Sequence, residues 1–356
     1  MKHIRLLSSN IACLACASSS WLITDGVRTA HCSTMTAVPS SASGAVSKVP
    51  ARKSRDVVEL ERSLSGPSIL MKDKAHFKRV LLKMIEDGPE RLTVLSDFDF
   101  TMTKFYKADG TTRSSSCHKV LEECQELGQE YRHKAAALQD YYYPREIDPN
   151  IPMPEKVQFM VDWVNKAHDL LINNGLVKAN IKTAVRAACT GKHINLRDGI
   201  CDFLDLLEQM RVPLIVFSAG LADILEEVIM MKMERDHLPS NIYVLSNRFI
   251  FDSTQKLTGF TEPVLHVFNK TGGSFRDTAY FLRKDAVARK NFVLIGDSLG
   301  DLSMIEGIPH ENLLKIGFLN DRVDERLETY LEKYDVVILG DPDFNTPFRL
   351  LELISV

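Results

Sequence analysis

The chain has no run near the ~20 consecutive apolar residues that a membrane-spanning helix needs. Its most apolar early stretch, Ile11 to Ile23, is broken by Ser and Cys. Beyond residue 32 it also has no paired-cysteine spacing. Three of its seven cysteines (Cys13, Cys16, Cys32) fall in the first 32 residues, and Cys117, Cys124, Cys189 and Cys201 form no CxxC. In a body of this size that argues against a disulfide framework and for a reducing compartment. There is little net charge. A value of −3 gives no reason to expect a nucleic-acid polymer or an anionic membrane as main partner. An anionic substrate must therefore be held by a local positive site. No internal repeat is visible.

What is present is enough for a sizeable core: 356 residues, 45% of them hydrophobic. That corresponds to about two domains at roughly 150 residues each. Residues 1–55 stand apart. They are rich in Ser and Ala and carry Lys2, Arg5, Arg28, Lys48, Arg52 and Arg55 against one acid, Asp25. This composition suits a disordered leader, with a mitochondrial transit peptide as the first alternative and a secretory signal, which the cysteine usage of the body opposes, as the last. The expected location is the cytoplasm, or the mitochondrion if the leader is an address.

From residue 56 the pattern is ordered. Phe77–Ile85 reads as an amphipathic helix closed by Gly88-Pro89, and Leu92–Leu95 as a buried strand. A largely helical stretch follows, from 106 to 195. Its first helix, Lys119–Leu138, is expected to break at Tyr141-Tyr142-Tyr143-Pro144. Pro152 and Pro154 open a second, with Val157, Met160, Val161, Val164, His168 and Leu171 at helical spacing. A third runs from Lys178 to Ala188. On that stripe His168 reads as a packed core residue. Strand and helix then alternate. Pro213–Phe217, Ile242–Leu245, Phe292–Ile295, Leu313–Ile316 and Val336–Leu339 are continuous apolar runs, as parallel strands covered on both faces require. The fold expected is a doubly wound parallel α/β sheet, built from 56–105 and 196–356, whose ligands sit beyond the carboxyl ends of the strands.

The chemistry-bearing residues fall at those ends. Asp97 and Asp99 follow the first strand. One carboxylate of such a pair can attack phosphorus, and the other can protonate the leaving alkoxide. Asp297 and Asp301, in Gly296-Asp297-Ser298-Leu299-Gly300-Asp301, add two more acids. Four acids in one pocket repel one another unless a cation intervenes, and Mg²⁺ prefers such hard oxygen ligands. Ser218-Ala219-Gly220 offers a hydroxyl and backbone N–H groups for phosphate oxygens, or else caps the next helix. Lys270 could balance the charge of the nucleophile.

Taken together, Asp97-x-Asp99-x-Thr101, Ser218, Lys270 and Gly296-Asp297-x3-Asp301 resemble the four motifs of haloacid dehalogenase-like phosphohydrolases. The runs Ser218–Ile229, His266–Lys270, Gly296–Leu302 and Lys315–Val323 narrow this. They resemble the cytosolic 5′-nucleotidase III (pyrimidine 5′-nucleotidase) family over about residues 60–355. The resemblance implies a Rossmann-type core with a helical cap, residues 106–195, inserted after the first motif. It implies Asp97 as nucleophile and Asp99 as general acid/base. Mg²⁺ would be held by Asp97, the main-chain carbonyl of Asp99 and Asp297, with Asp301 supporting. Ser218, Ala219 and Lys270 would bind phosphate. Glu146 matches the family's base-contacting glutamate. Ala167 looks like the branch that also accepts 7-methylguanosine monophosphate, while Val164 stands where that branch carries a stacking tryptophan. The implied activity is Mg²⁺-dependent hydrolysis of nucleoside 5′-monophosphates, pyrimidine or 7-methylguanosine, by a monomer, with phosphoryl transfer to another nucleoside as a side activity. A phosphomonoesterase for a small non-nucleotide phosphate and a silent nucleotide-binding protein are the alternatives.

Overall fold

The computed structural model describes residues 66–355 apart from 276, 277 and 279, so the expected leader at 1–55 lies outside the described residues. A short edge strand β1 (Ile69–Leu70) leads into α1 (Lys74–Asp87). Asp73 caps α1, its carboxylate accepting from His76 N at 2.8 Å. The helix buries Phe77, Leu81, Met84 and Ile85, one apolar stripe facing the sheet. Strand β2 (Leu92–Ser96) follows, buried throughout.

After β2 come four helices in succession: α2 (Cys117–Glu122), α3 (Gly128–Ile147), α4 (Met153–Asn173) and α5 (Lys178–Thr190). The expected break at Tyr141–Pro144 does not occur, because α3 runs through Pro144 to Ile147. Pro144 sits in the last turn, so the helix goes on for only three residues beyond the donor it lacks. The end of α3 is held from outside. Tyr142 is buried against Trp163 of α4, and Lys156 Nζ donates to Glu146 O at 2.7 Å. Pro152 and Pro154 open α4 as expected.

The chain then alternates: α6 (Ile200–Gln209), β3 (Leu214–Leu221), α7 (Ala222–Lys232), β4 (Ile242–Asn247), a small antiparallel hairpin of β5 (Phe249–Phe251) and β6 (Leu257–Phe260), β7 (Asn291–Gly296), β8 (Asn312–Leu319), α8 (Val323–Lys333), β9 (Val336–Leu339) and α9 (Asn345–Ser355). The main sheet has the order β1-β9-β8-β7-β2-β3-β4, with β1 antiparallel and every other pairing parallel. Alternate strand residues feed two cores, one on each face of the sheet. Val94, Val293 and Ile295 join α1, α6 and α9 on one side, while Leu95, Phe292 and Leu294 meet Tyr330 of α8 and Tyr334 just after it on the other. Burial on both faces explains why these strands are continuous apolar runs.

The helical segment joins the sheet through two paired linkers. Thr103 bridges Leu196, Lys104 N donates to Asn195 O at 2.8 Å, and Arg197 N donates to Met102 O at 2.9 Å. Among the described residues, no helix is long and apolar enough to cross a membrane.

Candidate active site

Strand β2 ends at Ser96, and Asp97 continues its ladder by donating its N–H to Ile295 O of β7 at 3.0 Å. The chain then turns tightly. Phe98 O accepts from the amides of Met102 (3.0 Å) and Thr103 (3.1 Å), and Phe100 takes the left-handed region at φ 65°. This turn is pinned from below by Arg197, which is 1% exposed. Its guanidinium donates to Thr101 O (2.8 Å), Phe100 O (2.9 Å), Asn320 Oδ1 (2.7 Å) and Pro342 O (2.8 Å), and pairs with Asp341 at 2.8 Å. Asn320 Nδ2 adds a second donor to Phe100 O at 2.9 Å.

Strand β7, beside β2, delivers the other acids. Asp301 Oδ2 accepts from Asp297 N (3.1 Å), Ser298 N (2.9 Å) and Ser298 Oγ (2.9 Å), and so ties its own loop. A Cβ on Gly296 would lie 2.5 Å from the Asp301 Cβ, so a side chain has no room there. The other oxygen, Asp301 Oδ1, accepts from Lys270 Nζ at 2.6 Å, and the same ammonium donates to Asp97 Oδ1 at 2.7 Å. Lys270 is 3% exposed and is no surface lysine. Carboxylate oxygens of Asp97, Asp297 and Asp301 lie within 4.8 Å of one another. Tyr330 of α8 holds this loop by donating to Asp297 O at 2.6 Å.

Asp99 points toward α2. Cys117 N donates to its Oδ1 at 3.0 Å, and Cys117 Sγ lies 3.3 Å from the same oxygen. Ser218 and Ala219 lie within β3. Neither Ser218 nor Gly220 caps α7, whose N-cap is Leu221; Ser218 Oγ instead accepts from Gly220 N at 3.0 Å.

Burial dominates the electrostatics. It pushes Asp99 up to about 6, against the donors of Cys117 and the charges of Lys270 and Arg113. It raises Asp97 too, with Asp301 and Asp99 adding and Lys270 opposing. Asp297 is raised well above the carboxylate range by burial, then by Asp301 and Asp97. Lys270 resists the same burial because two carboxylates touch it, and its pKa lies above the lysine value. A group of acids raised by one another's charge is what a hard divalent cation relieves, so the residues present fit such an ion.

A cavity of about 610 Å³ gathers all nine residues singled out in the sequence: Asp97, Asp99, Glu146, Ala167, Ser218, Ala219, Lys270, Asp297 and Asp301. Glu146 lies at the end of α3, its carboxyl raised by burial against the charges of Arg113 and Lys156. Val164 and Ala167 line the cavity from α4, joined by Trp163 one position earlier. His168 does not line it. It is 5% exposed and stacks on Phe260, ring centroids 3.4 Å apart. Sequence reasoning did not single out Arg113, His118, Tyr143 or Trp163, which all line the cavity. Nor did it find Arg197 beneath it. No spacing marks them, although Cys117-His118 just after a serine cap was the available signal.

A parallel α/β sheet that brings two motif aspartates, a buried lysine and a Gly-Asp-x3-Asp loop to adjacent strand ends is the fold of the haloacid dehalogenase-like class. Within that class the chain belongs to the pyrimidine 5′-nucleotidase (UMPH-1) family, whose model matches residues 100–355. It is 36% identical over 291 residues to the human 7-methylguanosine phosphate-specific 5′-nucleotidase, covering 82% of this chain and 93% of that protein. It is 33% identical over 310 residues to a putative cytosolic 5′-nucleotidase 3 of Caenorhabditis elegans, covering 85% and 80%. Among solved structures it is similar to cytosolic 5′-nucleotidase IIIB bound to cytidine, with a TM-score of 0.74, 31% identity, and coverage of 83% and 96%. The chain is accordingly a 5′-nucleotidase of the cytosolic III type.

Proposed function

We propose that the protein hydrolyses nucleoside 5′-monophosphates through an aspartyl-phosphate, with Mg²⁺ as cofactor. The observation that carries this reading is the single cavity that joins the aspartates and Lys270 to Glu146 and Ala167. Asp97 attacks phosphorus, and the bond to the 5′-oxygen breaks. Asp99, pushed up to about 6, carries the proton that this oxygen takes, and later accepts one from the attacking water. Lys270, held by Asp97 and Asp301, binds a phosphoryl oxygen alongside Ser218 and the backbone of Ala219. Asp97, Asp297 and the main-chain carbonyl of Asp99 would hold Mg²⁺, with Asp301 supporting; bound there, it supplies charge neutralisation for the incoming phosphate. The helical segment 106–195 serves as the cap.

The base allowed is set by Glu146, Ala167, Val164 and Trp163. Val164 brings no ring to the wall, and the indole of Trp163, parallel to Tyr142 at 5.8 Å, supplies one from the next position. We take the substrates to be CMP, UMP and 7-methylguanosine monophosphate. The test compares kcat/KM for these three with glycerol phosphate. A clear nucleotide preference is expected, and equal rates on all four would sink the nucleotide reading. Asp97→Asn should abolish turnover, by at least about a thousand-fold, while leaving the melting temperature near that of the native protein. Retained activity would contradict the nucleophile assignment.

A further inference from the structure

Four side chains with cationic heads at neutral pH line the cavity: Lys107, Arg113, Lys119 and Lys270. Lys270 is held by Asp97 and Asp301, Lys119 pairs with Glu122 at 2.8 Å, and Lys107 lies 3.9 Å from Glu123. Among the described residues, Arg113 is the one of the four with no carboxylate within 4.0 Å. Its guanidinium lies instead over aromatic faces, 4.5 Å from the centroid of Phe100 and 5.7 Å from that of Tyr143, and donates to Tyr143 Oη at 3.2 Å.

The backbone beneath it is fixed. Arg113 bridges Tyr106 across a tight hairpin, with Lys107 N donating to Thr112 O at 2.8 Å. Asp109 ties the hairpin's tip and Asp341 anchors its root through the amides of Phe105 and Tyr106. The arginine thus spans from Phe100, next to Asp99, to Tyr143 on α3.

Charge decides what such a cation is for. The sheet end presents four carboxylates around one ammonium, and even a bound divalent cation leaves that set short of positive charge for a phosphate dianion. A planar guanidinium with several N–H donors is the side chain suited to a tetrahedral oxyanion, by two parallel hydrogen bonds. We infer that Arg113 is a substrate-binding residue that grips the phosphate from the hairpin side, opposite Lys270. This rests on the phosphohydrolase reading above.

The test is titration calorimetry of inorganic phosphate into the Mg²⁺-loaded full chain, with cytidine as a second probe. Loss of a charge-assisted pair is worth about 1.5–3 kcal/mol, so Arg113→Met should weaken phosphate binding roughly ten- to hundred-fold. Cytidine binding should change by less than about two-fold, and Arg113→Lys should recover part of the phosphate affinity. An unchanged phosphate affinity in Arg113→Met overturns the inference, as does no phosphate binding by the unmodified protein. Weakened cytidine binding with phosphate unaffected also overturns it, by placing the arginine at the base end. A native melting temperature shows that the variant is folded. Phosphate bound through Arg113 without turnover of any nucleotide would refute the nucleotidase reading alone.

Discussion

At the scale of single residues, buried ionisable groups divide into those that serve the site and those that burden the fold. His168 is of the second kind. Burial lowers it to about 3, with the nearby His118 adding to the effect, and its Nε2 has no hydrogen-bond partner. The native protein therefore keeps His168 neutral, while the unfolded chain takes up a proton below about pH 6.5. The stability this neutral ring contributes is complete above that pH and is lost as pH falls toward 3. Between pH 7 and pH 5 the loss is about 2 kcal/mol for this residue. His168→Phe, which keeps a ring against Phe260, should remove most of that difference in urea unfolding at the two pH values. Parallel losses in variant and native protein would refute the assignment. The aspartates stood out in the sequence because Asp-x-Asp and Gly-Asp-x3-Asp are short motifs after apolar runs, whereas Lys270 was singled out only through its place in the order of the four motifs. Arg113, His118 and Trp163 were not, because what distinguishes them is the cavity they share, and no local pattern encodes it.

At the scale of elements, the parallel strands were the most legible part, since burial on both faces writes itself as a plain apolar run. The hairpin of β5 and β6 escaped notice because three- and four-residue strands carry too little pattern. The end of α3 was misread because Pro144 was weighed as a breaker, whereas Tyr142 packed on Trp163 holds that turn in place. The linkers between sheet and helical segment were unreadable for another reason. Asn195-Leu196-Arg197-Asp198 has the appearance of an exposed turn, yet Arg197 meets Asn320, Asp341 and Pro342 from more than a hundred residues away. Removing this buried cation takes a donor from Thr101 O, Pro342 O and Asn320 Oδ1 and the counter-charge from Asp341, while Phe100 O keeps Asn320 Nδ2. Arg197→Met should therefore cost about 3–5 kcal/mol in chemical unfolding. Because Phe100 and Thr101 hang from the same guanidinium, turnover should fall with it, measured at a temperature where the variant is still folded. A variant of native stability would show that the carbonyls find other donors.

For the molecule as a whole, the sheet has a satisfied body and a strained end. The two cores cover both faces with apolar side chains, but the strand ends crowd Asp97, Asp99, Asp297 and Asp301 together; burial raises the first three, and neighbouring carboxylates raise Asp97 and Asp297 further. That crowding costs stability which a divalent cation bound there would return. A ligand that binds the folded chain alone stabilises it by about 2.7 kcal/mol at a hundred times its dissociation constant. Adding Mg²⁺ to chelator-treated protein should thus raise the melting temperature as well as restore turnover, and the two should share one concentration dependence. Asp297→Asn removes one of the mutually repelling charges together with one ligand. It should weaken the response to Mg²⁺ while leaving the ion-free protein at least as stable as the native one. If Mg²⁺ restores turnover without shifting the melting temperature, the ion enters with the substrate and the acids at the strand ends are not its resident site. If Asp297→Asn destabilises the ion-free protein by several kcal/mol, that carboxylate is a structural partner of Thr101, whose hydroxyl donates to it at 3.3 Å, rather than part of a site strained for a cation.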